Sequence, residues 1–138
     1  MFTPPLAKPL DLAQDDTNEP LTWWQLYFGF RGRIGRQVWW RHGVAALLLA
    51  GFVLTALLRI AGASAELAEG FVQVLLLWPT LALSAKRWHD LNKSGAWTLV
   101  VLVPVLGTLW LLIANGTLRG EAGHNRFGDD WLDRLSPR

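Results

Sequence analysis

An all-α, polytopic membrane fold is predicted by three observations. Half of the 138 residues are hydrophobic, 51% by count, and the charges avoid three blocks, 43–58, 70–85 and 94–118. Tryptophan, nine copies in all, gathers at the block ends, where an indole can keep its ring in lipid and its N–H in water. The cationic residues collect on particular flanks, which is how a membrane protein sets its orientation.

A spanning helix needs about 20 apolar residues to cross roughly 30 Å of hydrocarbon. The third block is long enough alone: residues 97–118 hold twelve Leu, Ile and Val and no charge. The first two are shorter, and Arg59 and Lys86 extend them by snorkelling from their ends. A soluble helical domain of this size would need polar faces on its helices, and these blocks are apolar all round. One domain fits the length. The absence of cysteine excludes disulfides and thiolate metal sites.

Residues 1–20 read as a disordered tail rich in proline and acids, with no apolar core of the kind a signal peptide carries. The first apolar block is therefore expected to stay in the mature protein. Residues 21–132 form a single helical membrane domain, and 133–138 a C-terminal tail. Leu21, Trp23, Trp24, Leu26, Tyr27, Phe28 and Phe30, broken by Gln25, predict an N-terminal interfacial segment lying on the membrane. Arg31, Arg33, Arg36 and Arg41 follow with no acid among them. A helix starting near Gly35 puts Arg36 and Trp40 on one face at i, i+4.

The first long helix is predicted over 36–60, with Gly43, Ala46 and Ala50 as a small-residue stripe for close packing. A short loop, 61–69, carries Ser64 as a candidate N-cap ahead of Glu66 and Glu69. The second helix follows over 65–91, with Pro79 inside it as a kink. Residues 92–95 are turn chemistry, with Ser94 capping the next helix. Pro104 and Gly107 break the third block, which makes it either a kinked span or a re-entrant hairpin.

Positive residues mark the cytoplasmic side, so the N-terminus and the central loop with Lys86, Arg87 and Lys93 are placed inside, and the 61–69 loop outside. Counting Arg119, Arg126 and Arg134 favours a cytoplasmic C-terminus and a re-entrant third block. The uncharged length of that block argues for a plain span.

Three motifs recur between the apolar blocks: Phe30-Arg31-Gly32-Arg33-Ile34-Gly35-Arg36-Gln37-Val38-Trp39-Trp40, then Lys86-Arg87-Trp88-His89-Asp90-Leu91-Asn92-Lys93-Ser94-Gly95-Ala96-Trp97, and a Gly120 to Gly128 stretch ending in Asn125-Arg126-Phe127-Gly128. In this order they resemble the bacterial inner-membrane family called domain of unknown function 805. Lys86, Trp88, Trp39 and Asp130 depart from its usual residues without breaking a charge or glycine position of the motifs. The resemblance implies a small multi-pass membrane protein and brings no established activity.

No nucleophile motif, phosphate loop or paired-histidine metal spacing accompanies these stretches, so neither enzyme chemistry, a metal nor a cofactor is expected. The expected role is binding. Arg33, Arg36, Arg87, His89, Asp90, Asn125 and Arg126 are the candidate cluster, for an anionic lipid headgroup or a partner protein, with a homo-oligomer as a further possibility. Asp90 is expected to pair with Arg87, or with Arg33 or Arg36, because a charge beside hydrocarbon is costly unpaired. The cationic flanks are explained by topology, so nucleic acid is not expected. The alternative is a small transporter or channel subunit with helices broken at Pro79 and at Pro104 and Gly107.

Overall fold

The computed structural model describes residues 13–14 and 21–128. Most of the expected N-terminal tail, together with Asp129, Asp130 and the C-terminal tail, lies outside the described residues. Within the tail, Ala13–Gln14 forms a two-residue strand, β1, paired antiparallel with β2, Arg33–Ile34.

The interfacial segment contains one short helix, α1, Trp23–Phe28. Gln25, which interrupts the apolar run, has a local purpose. The Thr22 hydroxyl accepts from the Gln25 N–H at 3.3 Å, and the Gln25 amide oxygen accepts from the Thr22 N–H at 2.9 Å. This reciprocal capping box satisfies two backbone donors at the helix start. Leu26 is fully buried, whereas Trp23 and Trp24 are exposed.

Helix α2 runs Arg36–Ile60 as predicted, and it is long and apolar enough to cross a membrane, as is α3, Ala65–Asp90. None of the most apolar stretch of α2 is buried within the protein. The core helix of a soluble protein would be covered, so the length of α2 is matched by an apolar surface that calls for lipid. Residues Trp39–Ala45 are π-helical. Gly43 faces the Trp39 indole of its own helix, and Gly51 is set against α3, where a Cβ would lie 3.2 Å from Leu76. Ser64 caps α3, accepting from the Leu67 N–H at 3.3 Å.

The third block is broken. A 3-10 helix, Gly95–Leu102, is capped by Ser94, and α4 returns as Leu106–Thr117. Between them the chain turns at Val105, with φ 62° and ψ −65°, and the Leu106 N–H donates to the Pro104 carbonyl at 2.7 Å. This is a γ-turn in the positive-φ region, uncommon for a β-branched residue and strained by about 1–3 kcal/mol. Gly107 follows because a Cβ there would overlap the Val100 carbonyl of the opposite arm. Both ends of this hairpin lie at the same end of the molecule. Gly95 packs against Ala85 near the end of α3, and the Arg87 side chain reaches the Asn115 and Leu118 carbonyls. The buried core that joins these pieces comprises Leu21, Leu26, Ile34, Val38, Trp39, Leu83 and Leu111.

Candidate functional site

Three sequence motifs, far apart in the chain, meet at that common end. Asp90, the last residue of α3, is at their centre and is 4% exposed. Its Oδ1 accepts from Arg33 Nη2 at 3.1 Å and Nε at 3.3 Å, and its Oδ2 accepts from Arg87 Nη1 at 2.6 Å. The expected pairing was with one arginine or another. The structure makes both pairs at once, one carboxylate oxygen to each.

Each guanidinium has further work. Arg33 Nη1 donates to the Gly123 and Gly128 carbonyls, both at 2.9 Å, and Nη2 to the Glu121 carbonyl at 2.6 Å. Arg87 Nε donates to the Asn115 carbonyl at 2.8 Å and Nη2 to the Leu118 carbonyl. Among the described residues the clasp sets two buried guanidinium groups on one buried carboxylate, and the carbonyl dipoles offset the excess positive charge. The fixed fork of the guanidinium suits this multiple use in a way an ammonium would not. The Glu121 N–H donates to the Asp90 carbonyl at 2.8 Å, and Gly120 must lack a side chain because a Cβ would overlap the Asp90 carboxylate.

Arg36 does not reach Asp90. Its Nη1 donates to the Thr117 carbonyl at 3.0 Å, and Trp40 Nε1, one turn on, donates to the Gly116 carbonyl at 3.1 Å. Together with Arg87 on Asn115 and Leu118, they give four successive carbonyls at the end of α4 a side-chain donor. A helix end leaves four such groups without intrahelical partners, and in a low-dielectric setting each costs several kcal/mol. The i, i+4 face predicted for Arg36 and Trp40 is therefore a helix cap, and Gly116 lets the indole lie against the backbone.

The remaining candidates form a second layer. His89 is half-buried, with Nδ1 3.1 Å from the Gly32 carbonyl, and its ring stacks on Phe127 at 3.9 Å. Asn125 Nδ2 donates to the His89 carbonyl at 3.0 Å, and its Oδ1 accepts from the Phe127 N–H at 2.8 Å. Arg126 is exposed, donates to the Asn92 carbonyl at 3.0 Å and lies over the Phe127 ring. All seven candidates thus share one neighbourhood. Arg33, Arg87 and Asp90 are buried in it, and Arg36 and Arg126 stand at its rim.

Lys86 is a participant that sequence reasoning left out of the cluster. It is fully buried, and its Nζ donates to the Leu26 carbonyl at 3.0 Å and to the Gly29 carbonyl. It thereby fastens α1 to α3, with Trp78 Nε1 donating to the Phe28 carbonyl at 3.1 Å from the same helix. It stands in the buried run 82–88, and no sequence signal marks it, because burial is not visible in a sequence.

The pattern of the family described as protein of unknown function (DUF805) matches residues 27–129. Inner membrane protein YhaI of Escherichia coli K12 is 34% identical over 104 residues, which cover 75% of this chain and 86% of that protein. Inner membrane protein YhaH of the same strain is 33% identical over 108 residues, 75% of this chain and 88% of that protein. Uncharacterized protein YiiR is 32% identical over 135 residues, 79% of this chain and 90% of that protein. No solved structure matches. The matched region contains Arg33, Asp90, Arg87 and the carbonyls that the two arginines reach, and the chain belongs to the DUF805 family of proteins of unknown function.

Proposed function

We propose that this chain is an integral inner-membrane protein whose cytoplasmic end binds acidic lipid headgroups through rim arginines held in place by the buried Arg33, Asp90 and Arg87 clasp. The observation that carries this reading is the division of labour among the cations. Arg33 and Arg87 are buried and bonded within the protein, whereas Arg31, Arg36 and Arg126 are exposed around them. Exposed cations beside Trp and Phe rings suit phosphate groups at the level of the headgroups. The relatives named as inner membrane proteins support the location.

The topology that goes with it is two spans and a re-entrant hairpin, with both termini cytoplasmic. The hairpin arms are 8 residues of 3-10 helix and 12 residues of α-helix. At about 2.0 and 1.5 Å per residue they reach roughly 16–18 Å, about half of the hydrocarbon thickness. The chain has no cysteine, so single cysteines report cleanly. Ala63→Cys is expected to react with an impermeant maleimide from the periplasm, and His124→Cys only after the cytoplasmic side is opened. Labelling of both from one side would reject the topology. For the binding, the variant carrying Arg31→Gln, Arg36→Gln and Arg126→Gln is expected to lose the phosphatidylglycerol that wild-type protein retains in mild detergent. Equal retention by the two would reject the headgroup reading.

The transporter alternative draws on the broken third block. A groove of about 490 Å³ between α2, α3 and the hairpin is lined by apolar and hydroxyl side chains, among them Trp39, Leu76, Ser84, Thr108 and Leu111. Such a lining offers a charged solute no counter-charge.

A further inference from the structure

A second, smaller pocket of about 350 Å³ lies between α3 and the 3-10 helix, and its walls include Phe30, Leu81, Ala85 and Leu99. Two polar groups interrupt this apolar lining, His89 and Thr98. The His89 ring is fixed: a carbonyl can only accept, so Nδ1 carries the proton donated to Gly32. Nε2 then faces Gly95, lying 3.4 Å from where a Cβ on that glycine would be, and Gly95 also lines the pocket. Thr98 is 4% exposed, and its Oγ1 has no hydrogen-bond partner. Helical threonines commonly bond the carbonyl four residues back, as Thr80 does to Leu76 at 2.8 Å and Thr117 to Ile113 at 2.6 Å. Thr98 does not. A buried hydroxyl left so keeps its full desolvation penalty.

The chemistry that fits is narrow. The cations that bear on His89 are Lys86 and Arg126, which disfavours an ammonium. Both are already bonded to carbonyls, Lys86 to Leu26, Gly29 and Ala82 and Arg126 to Asn92, so neither is aimed into the pocket to neutralise an anion. A charged head in an apolar pocket without a counter-charge is penalised heavily. A hydroxyl both donates and accepts, so it serves Nε2 in either protonation form and Thr98 Oγ1 as well. The exposed Phe30 and Leu99 at the wall continue the apolar surface outward, where a hydrocarbon tail would lie.

We infer that this pocket holds the hydroxyl head of a membrane amphiphile, hydrogen-bonded by His89 Nε2 and Thr98 Oγ1. None of the rim arginines lines this pocket. The chain has three histidines, so nitrogen-15 spectra of the full-length protein in phosphatidylcholine nanodiscs can follow His89 with His42 and His124 as internal references. 1-Dodecanol is expected to shift the His89 Nε2 resonance saturably and leave the other two in place, while dodecane does not. Thr98→Val is expected to weaken dodecanol binding about five- to tenfold, the size of one hydrogen bond. Equal responses to dodecanol and dodecane, or unchanged binding in Thr98→Val, would overturn the inference. Should that variant fail to fold, the wild-type comparison of the two probes decides alone. Dioleoylglycerol then tests the source: a saturable His89 shift supports a neutral glyceride, and no shift overturns a membrane lipid as the ligand.

Discussion

The two halves of α3 are built on opposite rules. Toward its N-terminus, Leu67, Phe71, Val74, Leu77 and Trp78 are all more than half exposed, while toward its C-terminus Lys86, Arg87 and Asp90 are at most 4% exposed. In water this would be an inside-out protein. In a bilayer those exposed side chains need no protein cover, because lipid tails are as apolar as leucine. The second half meets the end where chain segments cross, and there each ionised group must find its complement within the protein. The difference teaches where the folding information sits. Apolar side chains decide that the helix enters the membrane, and the buried ions decide what it is joined to.

Substitutions that cut into the buried half break this contrast most sharply. Asp90→Ala leaves Arg33 and Arg87 buried without their shared anion, and a loss of about 3–5 kcal/mol is expected in reversible unfolding in mixed micelles. A loss below about 1 kcal/mol would show that the carbonyl bonds alone hold the clasp. Lys86→Met removes the donor for the Leu26 and Gly29 carbonyls, and about 1.5–3 kcal/mol is expected. Its particular signature is release of α1, read as faster proteolysis at Gly29 with α2 and α3 intact. Trp40→Phe keeps an aromatic side chain but deletes the Nε1 bond and the indole edge that lies against Gly116, for about 0.5–1.5 kcal/mol from the lost bond. In the exposed half, Leu77→Ala is expected to stay within about 0.5 kcal/mol of wild type. A larger loss there would mean that Leu77 is covered by a protein surface, which a shift in oligomer mass would reveal.

Much of the helical outline was legible. The starts and ends of α2 and α3 follow from apolar length, Ser64 and the glycine and proline punctuation, and the Pro104 and Gly107 break was visible because both residue types disrupt a helix. Local order was also readable where it was overlooked: Thr22 and Gln25 stand at capping-box spacing. The π-helical turn over Trp39–Ala45 was not readable, since such a turn has no simple composition. The choice between span and hairpin was open, because an uncharged stretch of that length is compatible with both.

Taken alone, the order of residues determined that three apolar blocks alternate with three polar motifs, and that the cations favour one side. Those are properties of composition and local spacing, on which transfer to lipid depends residue by residue. Tertiary structure alone decided that the third block folds back at Val105 and that Asp90 answers to Arg33, 57 residues away, as well as to Arg87, 3 residues away. It also decided that Arg36 caps a helix while Arg33 is buried, although the two arginines are alike in type and neighbourhood along the chain. Which cation is desolvated depends on which carbonyls and carboxylate converge on it, and that convergence exists only once the distant segments have met.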